Sequence, residues 1–91
     1  MRYEWDPGKA AENRRKHGIE LPDAVGVFED PYALTRTDLD HGEERFVTLG
    51  RDCLDRVVVV VWTQDGDVLR LISARGATAR ERRQYAEDPN A

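Results

Sequence analysis

The 91-residue sequence predicts a small single α+β domain, with two N-terminal helices, a three- to four-stranded antiparallel sheet and a C-terminal helix. Three observations predict it. Asp6-Pro7 and Gly18 bracket a helical stretch, aspartate as N-cap, proline in the first turn and glycine just past the end. Five consecutive valines, Val57 to Val61, run into Trp62 and then an Asp65-Gly66 turn signal, the pattern of a strand and hairpin. Thr78-Ala-Arg-Glu81 is a capping box that opens a last helix.

Each element follows in order. Residues 2–5 suit a short edge strand. The first helix runs through KAAENRRKH to Gly18. A second follows Pro22, with Ala24, Val25, Val27 and Phe28 as its apolar side. It stops at Asp30-Pro31, because a residue before proline is pushed out of the helical region. Gly26 weakens it by about 1 kcal/mol relative to alanine. Residues 33–37 and 45–49 read as strands, with a turn at 50–55. Residues 56–63 are apolar on both faces, which predicts a central strand covered on both sides, or by helix on one side and by a partner or loop on the other. Residues 64–67 turn the chain, and 68–73 pair back. The last helix has about two turns and ends before Pro89. The result is helices on a β-meander.

Composition narrows the function. Apolar residues are 40% and charged residues 35%, as in soluble globular chains. No run of about 20 apolar residues predicts a membrane span, and the N-terminus lacks a signal-peptide core. Cys53 is alone, without a CxxC partner, so a reducing, cytoplasmic setting and an incidental turn cysteine are expected. There is no P-loop, GxGxxG, GxSxG or HExxH. His17 and His41 are 24 residues apart and make no zinc site. His41 shares a polar loop with Asp38 and Asp40, but the spacing is too loose for a metal. No cofactor is expected.

Charge is unevenly placed. The net charge is −4, yet residues 68–85 hold Arg70, Arg75, Arg80, Arg82 and Arg83 against Glu81 alone. Residues 20–67 carry twelve acids against four bases, an acidic surface that suits a basic partner. The arginine-rich end predicts a polyanion, because a guanidinium fork grips phosphate through two hydrogen bonds. Regular alternation along residues 68–75 puts Arg70 and Arg75 on opposite faces, so they converge only if the chain bends or bulges near residues 73–76. Arg70 is either a phosphate ligand or the partner of Glu44 or an aspartate. Thr78, Glu81, Arg82 and Tyr85 share one stripe of the last helix. Tyr85 packs its ring on the sheet, as a core tyrosine or with its phenol beside a phosphodiester. Arg80 and Arg83 lie on the solvated side. His17 ends the first helix, where the dipole favours an imidazolium; it is a plain helix stop or a proton donor. Lys9, Asn13 and Lys16 form a stripe that can follow a phosphate backbone.

The ordered set of these residues resembles the BrnT family of bacterial type II toxins. The matching pieces are Trp5-Asp6-Pro7 with Lys9 and Asn13, Lys16-His17-Gly18, then Ala24, Val27-Phe28 and Asp30-Pro31. Glu44-Arg45, Gly50, the valine strand and Arg70-Leu-Ile-Ser-Ala-Arg75 follow, with Ala77, Glu81 and Tyr85. Together they cover nearly all of residues 3–85. Gly76 and Cys53 depart from the pattern. The resemblance implies a RelE-like fold, a metal-independent ribonuclease that inhibits translation, and a BrnA-type antitoxin that binds it in a hetero-oligomer. Operator DNA would be met only through the antitoxin. The residues it carries over as catalytic are Lys16, His17, Glu44, Arg70, Arg75 and Tyr85, with Lys9, Arg45, Arg80 and Arg82 as RNA-binding. In the mechanism expected, Arg70 and Arg75 hold the scissile phosphate, His17 or Glu44 takes the 2′-OH proton, and Tyr85 or Lys16 helps the 5′-oxygen leave. The other class is a non-catalytic nucleic-acid or protein-binding module of a toxin–antitoxin repressor complex.

Overall fold

A computed structural model describes residues 1–40 and 42–87. His41 and the helix stop expected before Pro89 lie outside the described residues. The elements are β1 (Arg2–Glu4), α1 (Pro7–His17), α2 (Leu21–Ala24) running on as a 3-10 turn (Val25–Glu29), β2 (Leu34–Asp38), β3 (Arg45–Arg51), β4 (Val57–Asp65), β5 (Val68–Gly76) and α3 (Ala79–Glu87). They form one mixed sheet in the order β1-β5-β4-β3-β2.

The punctuation residues act as their chemistry predicts. The Asp6 carboxylate accepts the Lys9 N–H at 2.9 Å, and Gly18 takes the left-handed conformation (φ 70°) with its N–H on Arg14 O. The capping box closes in both directions, Glu81 N–H to Thr78 Oγ1 at 3.1 Å and Thr78 N–H to Glu81 Oε1 at 2.8 Å. Asp65 pairs with Val68 around a turn at Gly66 and Asp67.

The valine strand is covered on both faces. Val58, Val60 and Trp62 join Ile19, Leu21, Ala24 and Val27 under the N-terminal helices. Val57, Val59 and Val61 face the other way, towards Val47, Leu49, Ala77 and Tyr85. We call these the first and second faces. Buried Thr48 is satisfied by Trp62 Nε1 and Thr35 Oγ1, each at 2.8 Å.

Three features differ from the expectation. The sheet has five strands and is mixed, because β1 adds a parallel rung to the outer edge of β5, matching Arg2 with Val68 and Glu4 with Arg70. Hairpin signals are local and do not reveal this pairing of the two chain ends. The second helix is one α-turn followed by a 3-10 turn. Gly26 is there because the chain presses on it: an added Cβ would sit 2.5 Å from Cys53 N. The third is a β-bulge. Trp62 pairs with Leu71 but Val61 pairs with Ser73, leaving Ile72 as the extra residue. The alternation therefore slips. Leu69, Leu71 and Ala74 face the first core, while Arg70, Ser73 and Arg75 share the second face, where regular spacing had separated the two arginines.

Candidate active site

One side chain moors α1 to the sheet. β1 accompanies β5 only as far as Arg70, and Asn13 occupies the edge beyond it. Its Oδ1 accepts the Ala74 N–H at 3.0 Å, and its Nδ2 donates to Ala74 O at 2.9 Å and Ile19 O at 3.0 Å. The buried amide stands in for a neighbouring strand. Lys9 and Lys16, a turn to either side of Asn13, are thereby held beside the second face.

α3 lies over the Gly76 end of that face, and the other end is concave. A hollow of about 310 Å³ is lined by Lys9, Glu12, Asn13, Lys16, His17, Arg45, Ile72 and Ser73. A second, of about 240 Å³, is lined by Asp6, Lys9, Glu43, Arg45, Thr63, Arg70, Leu71 and Ile72. Lys9, Arg45 and Ile72 belong to both, so the two form one groove.

The charged groups of the groove are loosely engaged. Lys16 Nζ lies 2.9 Å from Glu12 Oε1, and this bond holds the Glu12 carboxyl below its ordinary range. Arg45 Nε is 3.4 Å from Glu43 Oε1, a long contact on an exposed carboxylate. Lys9 and Arg70 make no side-chain hydrogen bond or ion pair among the described residues. Of the two readings of Arg70, the pair with Glu44 or an aspartate is therefore not formed among the described residues.

The arginine clamp is not assembled. Arg70 and Arg75 share a face but stand four paired positions apart, about 13 Å at 3.3 Å per residue. The Arg75 fork is already filled, Nη1 and Nη2 meeting the two Glu81 oxygens at 2.8 and 2.9 Å. The Arg75 guanidinium, with the Thr78 N–H, holds the Glu81 carboxyl at about 2. A carboxyl depressed in the fold stabilises fully above its unfolded value of 4.5, and the contribution fades as pH falls towards 2. The melting temperature of the wild type should drop through that window more steeply than that of Glu81→Gln. Parallel curves from pH 5 to pH 2 would show that the fork contributes nothing.

Tyr85 is likewise committed to the fold. Its ring is buried and its hydroxyl, rather than pointing outward, donates to Asp30 Oδ2 at 2.6 Å. Burial, then the Asp30 hydrogen bond, raises the phenol pKa. Arg51 caps the ring at 5.6 Å. Arg82 Nη1 donates to Ala77 O at 2.7 Å, bracing the start of α3. Arg80 is exposed, beside Arg83, Gln84 and Glu87 in a hollow of about 560 Å³ formed along α3 alone, away from the groove. Glu44 is exposed and lines neither hollow of the groove. Glu43 lines one of them, from the bend just before β3, where no strand or helix periodicity marks it. The sequence analysis also missed Thr63, which reaches the groove by the regular alternation of β4, and Ile72 and Ser73, which reach it through the bulge, where no turn or cap signal marks them.

The groove thus gathers Lys9, Lys16, His17, Arg45 and Arg70 from the expected set, and leaves Glu44, Arg75, Arg80, Arg82 and Tyr85 outside it. It offers cations flanked by groups that can exchange protons. The fold is similar to the 1.1 Å crystal structure of the Brucella abortus ribonuclease toxin, BrnT, with a TM-score of 0.69 and 28% sequence identity over 86% of this chain and 97% of that one. No curated protein sequence matches the chain. The family model described as "Ribonuclease toxin, BrnT, of type II toxin-antitoxin system" matches residues 5–81, from the residue before the α1 cap to the glutamate of the Arg75 fork. The chain therefore belongs to the BrnT family of ribonuclease toxins of type II toxin–antitoxin systems.

Proposed function

We propose that this toxin cuts RNA in the groove between α1 and the second face, without a metal, using the substrate's own 2′-OH as nucleophile. One observation carries the reading: His17 and Glu43 lie in different halves of the groove, on either side of the shared Lys9 and Arg45. Transesterification needs a base at the 2′-oxygen, an acid at the 5′-oxygen and positive charge at the phosphorus. Arg45 and Lys9 face the phosphorus, and Arg70 takes a neighbouring phosphate. Glu43 accepts the 2′-OH proton, and His17 or Lys16 protonates the leaving 5′-oxygen. The 2′-oxygen bonds to phosphorus as the bond to the 5′-oxygen breaks, giving a 2′,3′-cyclic phosphate and a 5′-OH. Arg75 and Tyr85 act on this reading by seating α3.

Cleavage of cytoplasmic RNA would stop translation. A BrnA-type antitoxin would neutralise the toxin by covering the groove in a hetero-oligomer, and would itself make any operator contact. The test is a labelled oligoribonucleotide incubated with purified protein in EDTA. We expect products with cyclic phosphate ends, and about a hundredfold slower cutting by His17→Ala. Intact RNA would overturn the nuclease reading in favour of the binding module.

A further inference from the structure

Ile72 has no packing role that accounts for it. It is the extra residue of the β5 bulge, and its neighbours Leu71 and Ala74 both enter the first core. Ile72 belongs to neither hydrophobic cluster. It is half-buried and lines both hollows, as Lys9 and Arg45 also do. Without the bulge, regular alternation would have sent this side chain to the face of Ala74. A branched aliphatic group among cations does nothing for a phosphate. It offers an apolar surface to a ligand that carries charge and a flat hydrophobic face together.

We propose that Ile72 is the floor of a nucleobase subsite, on which the base of one nucleotide flanking the cut bond packs while Lys9 and Arg45 hold the phosphate beside it. The proposal rests on the ribonuclease reading above and adds to it a positioning residue. Ser73, half-buried in the same hollow, forms no side-chain hydrogen bond among the described residues and presents its hydroxyl near the same base. No aromatic side chain lines either hollow, so the contact is with an aliphatic branch and tolerates different bases.

The experiment compares wild type, Ile72→Ala and Ile72→Val on an oligoribonucleotide in which one abasic position is moved through the residues flanking the cut bond. In the wild type, one abasic position should raise KM by about tenfold, the effect of losing a few buried methylene contacts. Ile72→Ala should show the raised KM on intact RNA and no further penalty at that position. Ile72→Val should retain most of the penalty, and melting temperatures should stay within a few degrees. An abasic penalty of equal size in wild type and Ile72→Ala overturns the subsite, as does a large loss of stability in Ile72→Ala. Failure of the nuclease reading looks different: wild type leaves all RNA intact. The same comparison is then made by binding a 2′-fluoro oligonucleotide and its abasic versions, where equal penalties or no binding again overturn the subsite.

Discussion

Replacing Arg45 by alanine should lower RNA cleavage by about 10²- to 10³-fold, the usual loss when a preorganised charge facing a developing oxyanion is removed. Arg45 is singled out because it lines both halves of the groove. Its only ion-pair partner among the described residues is Glu43, whose side chain is 59% exposed, and such a pair contributes about 0–1 kcal/mol. The variant should therefore melt within a few degrees of the wild type, so that activity and stability separate. Affinity for uncut RNA should fall, and the slope of log K against log salt should shrink by about one phosphate contact. Wild-type cleavage by a folded Arg45→Ala protein would remove the groove from the chemistry.

Asn13→Ala should produce the largest loss of stability. It deletes three hydrogen bonds and leaves the Ala74 N–H, the Ala74 carbonyl and the Ile19 carbonyl without their partner in a buried place. Each orphaned group costs about 1–3 kcal/mol, so a total of roughly 3–5 kcal/mol is expected. In a domain of this size that lowers the melting temperature by at least about 10 °C. Asn13→Asp is the informative companion. It keeps the acceptor for Ala74 N–H but sets a carboxylate against two carbonyl oxygens, so it should not rescue. Both variants should lose cleavage at temperatures where they remain folded, since α1 carries Lys9, Lys16 and His17. A melting point within 2 °C of the wild type would mean that α1 is held by its apolar side alone.

The local grammar of the chain was legible and the long-range geometry was not. Asp6, Gly18 and the Thr78–Glu81 box announce their helix ends because caps depend on residues within one turn. The five valines announce a strand covered on both faces. The parallel rung of β1 on β5 leaves no such mark, since three residues carry no turn signal and no periodicity. The bulge at Ile72 is written only as a slip from spacing two to spacing three among Leu69, Leu71 and Ala74. That slip decides which arginines share a face. Glu81 was visible as the single acid in an arginine-rich stretch, and its capping role was read from the sequence. Its bidentate hold on Arg75 spans the strand–helix junction and depends on how the chain turns at Gly76 and Ala77. That pairing, which occupies the Arg75 fork within the fold, was not legible in the sequence. Asn13 was placed on the correct stripe, but only the unfilled edge of β5 explains why an amide lies between two lysines.

The mooring of α1 joins residues 61 positions apart, and this orders events during synthesis. A translating ribosome releases Asn13 long before Ala74, and β1 emerges well before the strand it pairs with. On a nascent chain halted anywhere before β5, Lys9, Lys16 and His17 ride on a helix with nothing to dock against. The cationic groove comes into being only as the last strand clears the exit tunnel, so fragments halted just before it carry Lys9, Lys16, His17 and Arg45 without the wall they face.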